Sequence, residues 1–153
     1  MQFKELKYLI DGRISYSYSE KSKVGEFFDD FSSKCAEQPR EKFTVAIKKL
    51  VPIFLSLCEI DEYDINRYVF KSIKFSRTGD EQVLGVHIVC TKRLTVSITS
   101  ISIESPLKFC GKVNSNTESY QIFDNKQQEI VYDALKECEL YAKGERLQIE
   151  ADI

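Results

Sequence analysis

The chain has 153 residues, 42% hydrophobic and 30% charged, with 22 Lys and Arg against 24 Asp and Glu for a formal net charge of -2. That composition describes a soluble globular domain over residues 1–153, excludes a disordered tail and argues against bulk electrostatic binding of nucleic acid. No apolar run is long enough to span a bilayer and no signal-peptide pattern opens the chain, so no membrane role is expected.

The first elements are a hairpin. Phe3 to Ile10 and Ile14 to Ser19 flank Asp11-Gly12-Arg13, a strong turn signal. A three-residue loop there pairs Ile10 with Ile14, Tyr8 with Tyr16 and Leu6 with Tyr18, which gathers the apolar side chains on one side. Val24 to Cys35 reads two ways, because Phe27, Phe28, Phe31 and Cys35 have helical spacing while a third strand of the meander also fits.

Pro39 opens a helix, its missing N–H tolerated in the first turn. Phe43, Ile47, Leu50, Val51, Phe54, Leu55 and Cys58 form the buried stripe, and Pro52 inside it predicts a kink. The acidic run Glu59 to Glu62 opposes the helix dipole, so this end is expected to fray or to take a basic cap.

A second meander follows from Tyr68 to Glu104. Its first turn is Thr78-Gly79-Asp80, where glycine takes a positive φ at no steric cost. Leu84, Val86, Ile88 and Cys90 alternate with Val83, Gly85, His87 and Val89, and both sets are largely apolar. That pattern predicts a central strand covered on both faces and, if two helices leave part of the sheet bare, self-association through it. Leu94, Val96 and Ile98 share one parity and Ile101 and Ile103 the other, so a third strand needs a bulge near Thr99-Ser100.

Pro106 to Phe123, with Gly111 and the polar run Asn114 to Thr117, reads as the longest and most mobile loop. Asp124 and Gln127 make a capping-box pair that starts the last helix. Ile130, Val131, Ala134, Leu135, Cys138, Tyr141 and Ala142 are its inward face, and Gly144 ends it. The tail from Glu145 to Ile153 alternates apolar and polar residues; it is either a frayed end or an added strand or docking peptide. Gln148, Ile149 and Ile153 weakly resemble a bacterial sliding-clamp-binding peptide, with Ala151 and Ile153 where larger apolar groups would fill the pocket.

The catalytic inventory is thin. One histidine, His87, sits mid-strand among apolar neighbours and reads as structural, so no catalytic residue is assigned. No phosphate-cradling glycine loop, G-x-S-x-G, H-E-x-x-H or metal-ligand spacing is present, and no cofactor or metal is assigned. Five cysteines, odd in number and widely spaced without C-x-x-C, fit reduced thiols in a cytosol; Cys58, Cys90 and Cys138 read as small core residues.

Charge is uneven: Arg67 to Arg93 holds six Lys/Arg against two acids, and Gly111 onward holds five against nine. The plainest reading is a solvated sheet face and a solvated helix face. The functional one is an anion site at Lys92, Arg93, Lys71, Lys74, His87 and Tyr68, with Lys92 and Arg93 foremost because they sit together at a strand end. Alternation turns Lys71 and Lys74 opposite ways, and Lys92 and Arg93 likewise, so one face carries only part of the set.

The order of these pieces resembles a family of small phage and prophage proteins without an established activity. The matching stretches are Pro39-Arg40-Glu41-Lys42-Phe43, Leu57-Cys58-Glu59-Ile60, the strand pair about Thr78-Gly79-Asp80 reading VLGVHIVCTKRL, the Ser105-Pro106 step, and YAKGERLQ from Tyr141 to Gln148. The chain departs from that pattern in its apolar Thr95 to Ser100 link and very short tail. The resemblance implies a strand before the first helix and a phage-encoded protein of the host cytoplasm.

The expected fold is therefore α+β, in the order β-β-β-α-β-β-β-α, with both helices packed on one antiparallel sheet. The expected function is a non-enzymatic, host-takeover or anti-defence binding protein. It would inhibit a host factor or sequester a small anionic, nucleotide-type ligand, and would form a homo-oligomer. An accessory role in phage DNA replication or recombination, through single-stranded DNA or the clamp, is the alternative. An enzyme is the third reading.

Overall fold

The computed structural model describes residues 1–147. The docking peptide expected at Gln148, Ile149 and Ile153 lies outside the described residues. The architecture is α+β: one antiparallel sheet with helices on one face. In chain order the elements are β1 (Gln2–Tyr8), β2 (Ile14–Lys21), β3 (Phe28–Cys35), α1 (Glu41–Lys48), α2 (Leu50–Leu57), β4 (Tyr68–Thr78), β5 (Val83–Arg93), β6 (Ser100–Glu104), β7 (Lys108–Phe109) and α3 (Asn125–Ala142). The strands run β3-β2-β1-β4-β5-β6, and β7 pairs with β5 beyond the end of β6. The two meanders therefore join through β1 and β4, with Leu6 opposite Ile73.

The first hairpin gathers the predicted apolar face, but in a different register. Tyr8 pairs with Ile14 and Leu6 with Tyr16, and a bulge at Lys4 brings Phe3 opposite Tyr18. The loop closes one step earlier than expected: Leu9 N donates to Arg13 O and Gly12 N to Leu9 O, with Gly12 at φ +88°. Glycine thus occupies the left-handed position of a bulged three-residue turn, and Ile10 is stranded at its fully exposed tip. Val24 to Cys35 resolves as an extended loop and then β3; Tyr18 pairs with Phe31 and Ile14 with Cys35.

The first helix is broken by Pro52, as expected. The break falls at Lys49, where the chain tightens because Pro52 can neither donate to the carbonyl of Lys48 nor avoid it sterically. The end of α2, expected to fray or to take a basic cap, is closed by the backbone itself. Glu59 N donates to Ser56 O and Ile60 N to Leu55 O, with Glu59 at φ +56°, so a Schellman turn closes the helix around a glutamate. The same pair of bonds ends α3, where Gly144 N donates to Tyr141 O and Glu145 N to Leu140 O, with Gly144 at φ +108°. The α3 start follows the predicted capping box, with Gln127 N donating to Asp124 Oδ1 at 2.7 Å and Asp124 N to Gln127 Oε1 at 3.3 Å.

Of two strand expectations, an interior β5 sheltered on both faces holds, and the bulge in the third strand needs correcting. The strand β5 is second from the edge, and helices cover one of its faces only. Leu84, Val86, Ile88 and Cys90 are buried under them, while Val83, His87 and Val89 are half-buried on the other side. What shelters the second face is the chain after β6: a Cβ on Gly85 would stand 3.0 Å from Leu107 Cδ1 and 3.1 Å from Phe109 Cδ1. The apolar patch expected along Gln82 to Lys92 is therefore already in use. The third strand needs no bulge, because β6 starts at Ser100 opposite Arg93 and Leu94 to Thr99 form the connection. Val96 and Ile98 stand almost wholly in solvent there, and Ser97 Oγ accepts from Thr99 N, a local bond that competes with the ladder. Residues 106–123 are likewise not one loop: β7 and a one-turn 3-10 helix lie within them, and Cys110 N donates to Leu84 O.

One hydrophobic core fills the space between sheet and helices, built from Leu6, Ile73, Val86 and Ile88 below and from Phe43, Leu50, Phe54, Val131 and Tyr141 above. Cys90 and Cys138 belong to it, and Cys58 lies at its margin.

Candidate functional site

Among the described residues no α-helix lies on the other face of the sheet, and the chain after β6 crosses it only near Gly85 and Ser76. The side chains of this bare face are those the core alternation rejects: Ser15, Ser17 and Lys7 on the first hairpin, then Lys74, His87 and Glu104 on the second meander.

The predicted site residues divide between the two faces, along lines different from simple alternation. A bulge in β4 between Phe70 and Ser72 inserts Lys71 as an extra residue. That turns Lys71 to the same side as Lys74: Lys71 Nζ donates to Ser102 Oγ at 3.0 Å, and Lys74 Nζ lies 3.9 Å from Glu104 Oε1. His87 pairs with Lys74 across the strands, and Arg93 follows the same parity on β5. Lys71, Lys74, His87 and Arg93 thus share the face away from the helices, spread along β4 and β5, with Glu5 opposite Lys74 and Glu104 beside it.

Tyr68 and Lys92 are not with them. Tyr68 is buried beneath α2, its ring 5.8 Å from that of Phe54, and Lys92 Nζ sits 5.8 Å from the Tyr68 ring on the helix side. Lys92 and Arg93 therefore lie on opposite faces, as alternation predicts.

His87 has a structural partner. Its Nδ1 lies 3.1 Å from the carbonyl of Ser105, which can only accept, so Nδ1 carries the proton. Ser105 is pinned in turn, its Oγ accepting from Ile88 N at 2.9 Å and donating to Pro106 O at 3.0 Å. Among the described residues no three His, Cys, Asp or Glu side chains converge to hold a metal ion. Burial pushes the thiol of Cys90 up to about 12 and that of Cys110 up to about 11, which holds both in the unreactive protonated form. The surface carboxyl of Asp30 is held low, first by the hydroxyl of Ser19 and then by Lys4.

A concavity elsewhere escaped the sequence. Between α1 and α3 a groove of about 390 Å³ has Val45, Ala46 and Ile130 in its floor, with Lys42, Lys49 and Lys136 about it. Arg40 and Glu137 cross it as an ion pair, Nε to Oε1 at 2.8 Å and Nη2 to Oε2 at 2.5 Å. Residues 97 positions apart give no local signal of such a contact. The one available hint was Glu137 itself, a carboxylate at the spacing of the inward face beside Ala134, Cys138 and Tyr141.

No described helix is long and apolar enough to cross a membrane. No protein-family model, curated protein or solved structure matches the chain.

Proposed function

We propose that this is a phage-encoded, non-enzymatic binding protein that inhibits a host factor by docking an acidic surface of it on the bare sheet face. The observation that carries the reading is the β4 bulge, which adds Lys71 to the side already holding Lys74, His87 and Arg93. The field so formed is spread along two adjacent strands, β4 and β5. It suits an extended macromolecular partner, whereas a small ligand is ordinarily held in a concave pocket. It also lacks the exposed aromatic row on which single-stranded DNA would stack, since Tyr16, Tyr18 and Phe31 lie on the opposite face.

The test is fluorescence anisotropy with a labelled poly-glutamate peptide and with oligo-dT, on wild type and on Lys71→Glu/Lys74→Glu/Arg93→Glu. Peptide binding should weaken with salt and fall at least about tenfold in the variant. Equal binding by the charge-reversed protein, or tighter binding of oligo-dT, overturns the reading.

A second reading, sequestration of a nucleotide-type anion, draws on the groove between α1 and α3. Its volume falls in the range of small-ligand sites, and it sets Val45, Ala46 and Ile130 among Lys42, Lys49 and Lys136, with Glu41 and Asp133 also in the lining. A nucleotide that raises the melting temperature of wild type but not of Lys49→Glu/Lys136→Glu would favour it.

A further inference from the structure

The strand β3 ends the sheet, and its outer edge has no partner among the described residues. All eight of its residues pair with β2 in one unbroken register. Ser22 N donates to Phe27 O at 2.8 Å in that same register, which fixes the alternation of the ladder. Every second pair is bonded, Tyr18 with Phe31 among them. The N–H and C=O groups of Phe28, Asp30, Ser32 and Lys34 therefore point outward, away from β2. Free edges of this length are usually blunted by proline, a bulge, charged side chains or a covering loop; among the described residues β3 has only the charges of Asp29, Asp30 and Lys34.

The helix layer also stops short of β3. On that side Tyr16, Tyr18 and Phe31 form a row of near-parallel rings, with centroids 6.2 Å and 5.1 Å apart and interplanar angles of 13° and 20°. The row is closed at its inner end, where Tyr141 of α3 meets Tyr16 edge-on at 5.8 Å. At its outer end Phe31 is 43% exposed, and Phe28 on the other face is 53% exposed.

We propose that the edge is filled by β3 of a second copy, antiparallel, about a twofold axis through Phe31 and perpendicular to the sheet. That operation keeps both helix layers on one side and both bare faces on the other. It pairs Asp30 with Ser32 and Phe28 with Lys34 of the second copy, and these are the residues whose backbone groups point outward. Phe31 meets its own symmetry mate in a non-bonded pair, where side chains approach most closely, and the aromatic row runs on from one copy into the other. Directly opposite residues carry no like charges; on the diagonals Lys34 of one copy neighbours Asp30 of the other, twice by symmetry, while the two Asp30 carboxylates, each held by Ser19 and Lys4 of its own copy, face each other once across the axis. The proposal stands on the edge alone and does not depend on what the bare face binds.

The experiment uses the full chain. Wild type should sediment as a dimer at high micromolar concentration. Ser32→Pro removes an N–H that makes no bond among the described residues, so the monomer should keep its circular dichroism while dimer dissociation becomes about a hundredfold easier. In a Cys35→Ser background, Phe31→Cys should cross-link to itself on mild oxidation and Ser33→Cys should not, because only the first sits on the axis. A monomeric wild type, a dimer that survives Ser32→Pro, or cross-linking of the Ser33→Cys variant in preference to the Phe31→Cys variant would each overturn the proposal. Should Ser32→Pro fail to fold, the two cross-linking variants decide.

Discussion

Replacing Arg40 with Met tests whether the Arg40–Glu137 pair holds α1 to α3. Glu137 keeps only 8% of its side-chain surface in solvent and Arg40 31%, and two charge-assisted bonds at 2.8 Å and 2.5 Å join them. Losing one partner of a fully buried pair costs about 3–5 kcal/mol, because the other charge is left desolvated. Water can reach this pair from the guanidinium side, so the expected cost of Arg40→Met is about 2–3 kcal/mol. For a chain of this size that is a fall in Tm of roughly 5–10 °C. The double variant Arg40→Met/Glu137→Leu removes both charges and should return to within about 1 kcal/mol of wild type. Urea unfolding with an unchanged m-value is the assay. A single-variant loss below about 0.5 kcal/mol, or strict additivity of the two substitutions, would refute the reasoning.

Three further outcomes are expected. Glu59→Gly should stabilise the protein by about 0.5–1 kcal/mol, since it relieves a left-handed L-residue in a turn whose twin uses glycine, and Gly144→Ala should cost about 1 kcal/mol; thermal unfolding reads both. Gly85→Ala puts a Cβ 2.9 Å from Ser76 Oγ, 3.0 Å from Leu107 Cδ1 and 3.1 Å from Phe109 Cδ1, and should cost about 1–3 kcal/mol. Ser76 Oγ is buried without a hydrogen-bond partner, so Ser76→Ala should be tolerated and should lessen the cost of Gly85→Ala when combined with it. The third outcome is alkaline. Burial raises the Cys90 thiol from 9.0 to about 12, so between those values the unfolded chain has lost a proton that the native state keeps. The stability is fully present below pH 9.0 and is lost as pH rises toward 12, and Cys90→Val should flatten that decline in urea titrations at stepped pH. In the native protein at mildly alkaline pH, Cys90 and Cys138 should resist thiol-labelling reagents while half-exposed Cys35 reacts.

The elements legible in the sequence were those with local chemistry. Asp124 and Gln127 announce the start of α3, Gly144 its end and Pro52 the break in the first helix, because each acts on backbone groups within four residues. The apolar faces of β1, β2 and β5 were legible from period-two alternation. Less visible was anything set by pairing. The motif Asp11-Gly12 marks a turn without saying which residues close it, so the hairpin register shifted and Ile10 fell at its tip. Leu94, Val96 and Ile98 have strand propensity, but β6 pairs from Ser100 and leaves them in the connection. The site suffered most from the β4 bulge: alternation separated Lys71 from Lys74, and one inserted residue reunited them. The α1–α3 groove depends on contacts across 97 positions and had no local signature.

The most direct test of the bare sheet face as the working surface is amide chemical-shift mapping of the full chain during titration with poly-glutamate. The shifted amides should cluster at Lys71, Lys74, His87 and Ser102, and the cluster should vanish in Lys71→Glu/Lys74→Glu/Arg93→Glu. Shifts confined to Val45, Ala46 and Ile130, or no shifts at all at saturating peptide, would contradict it.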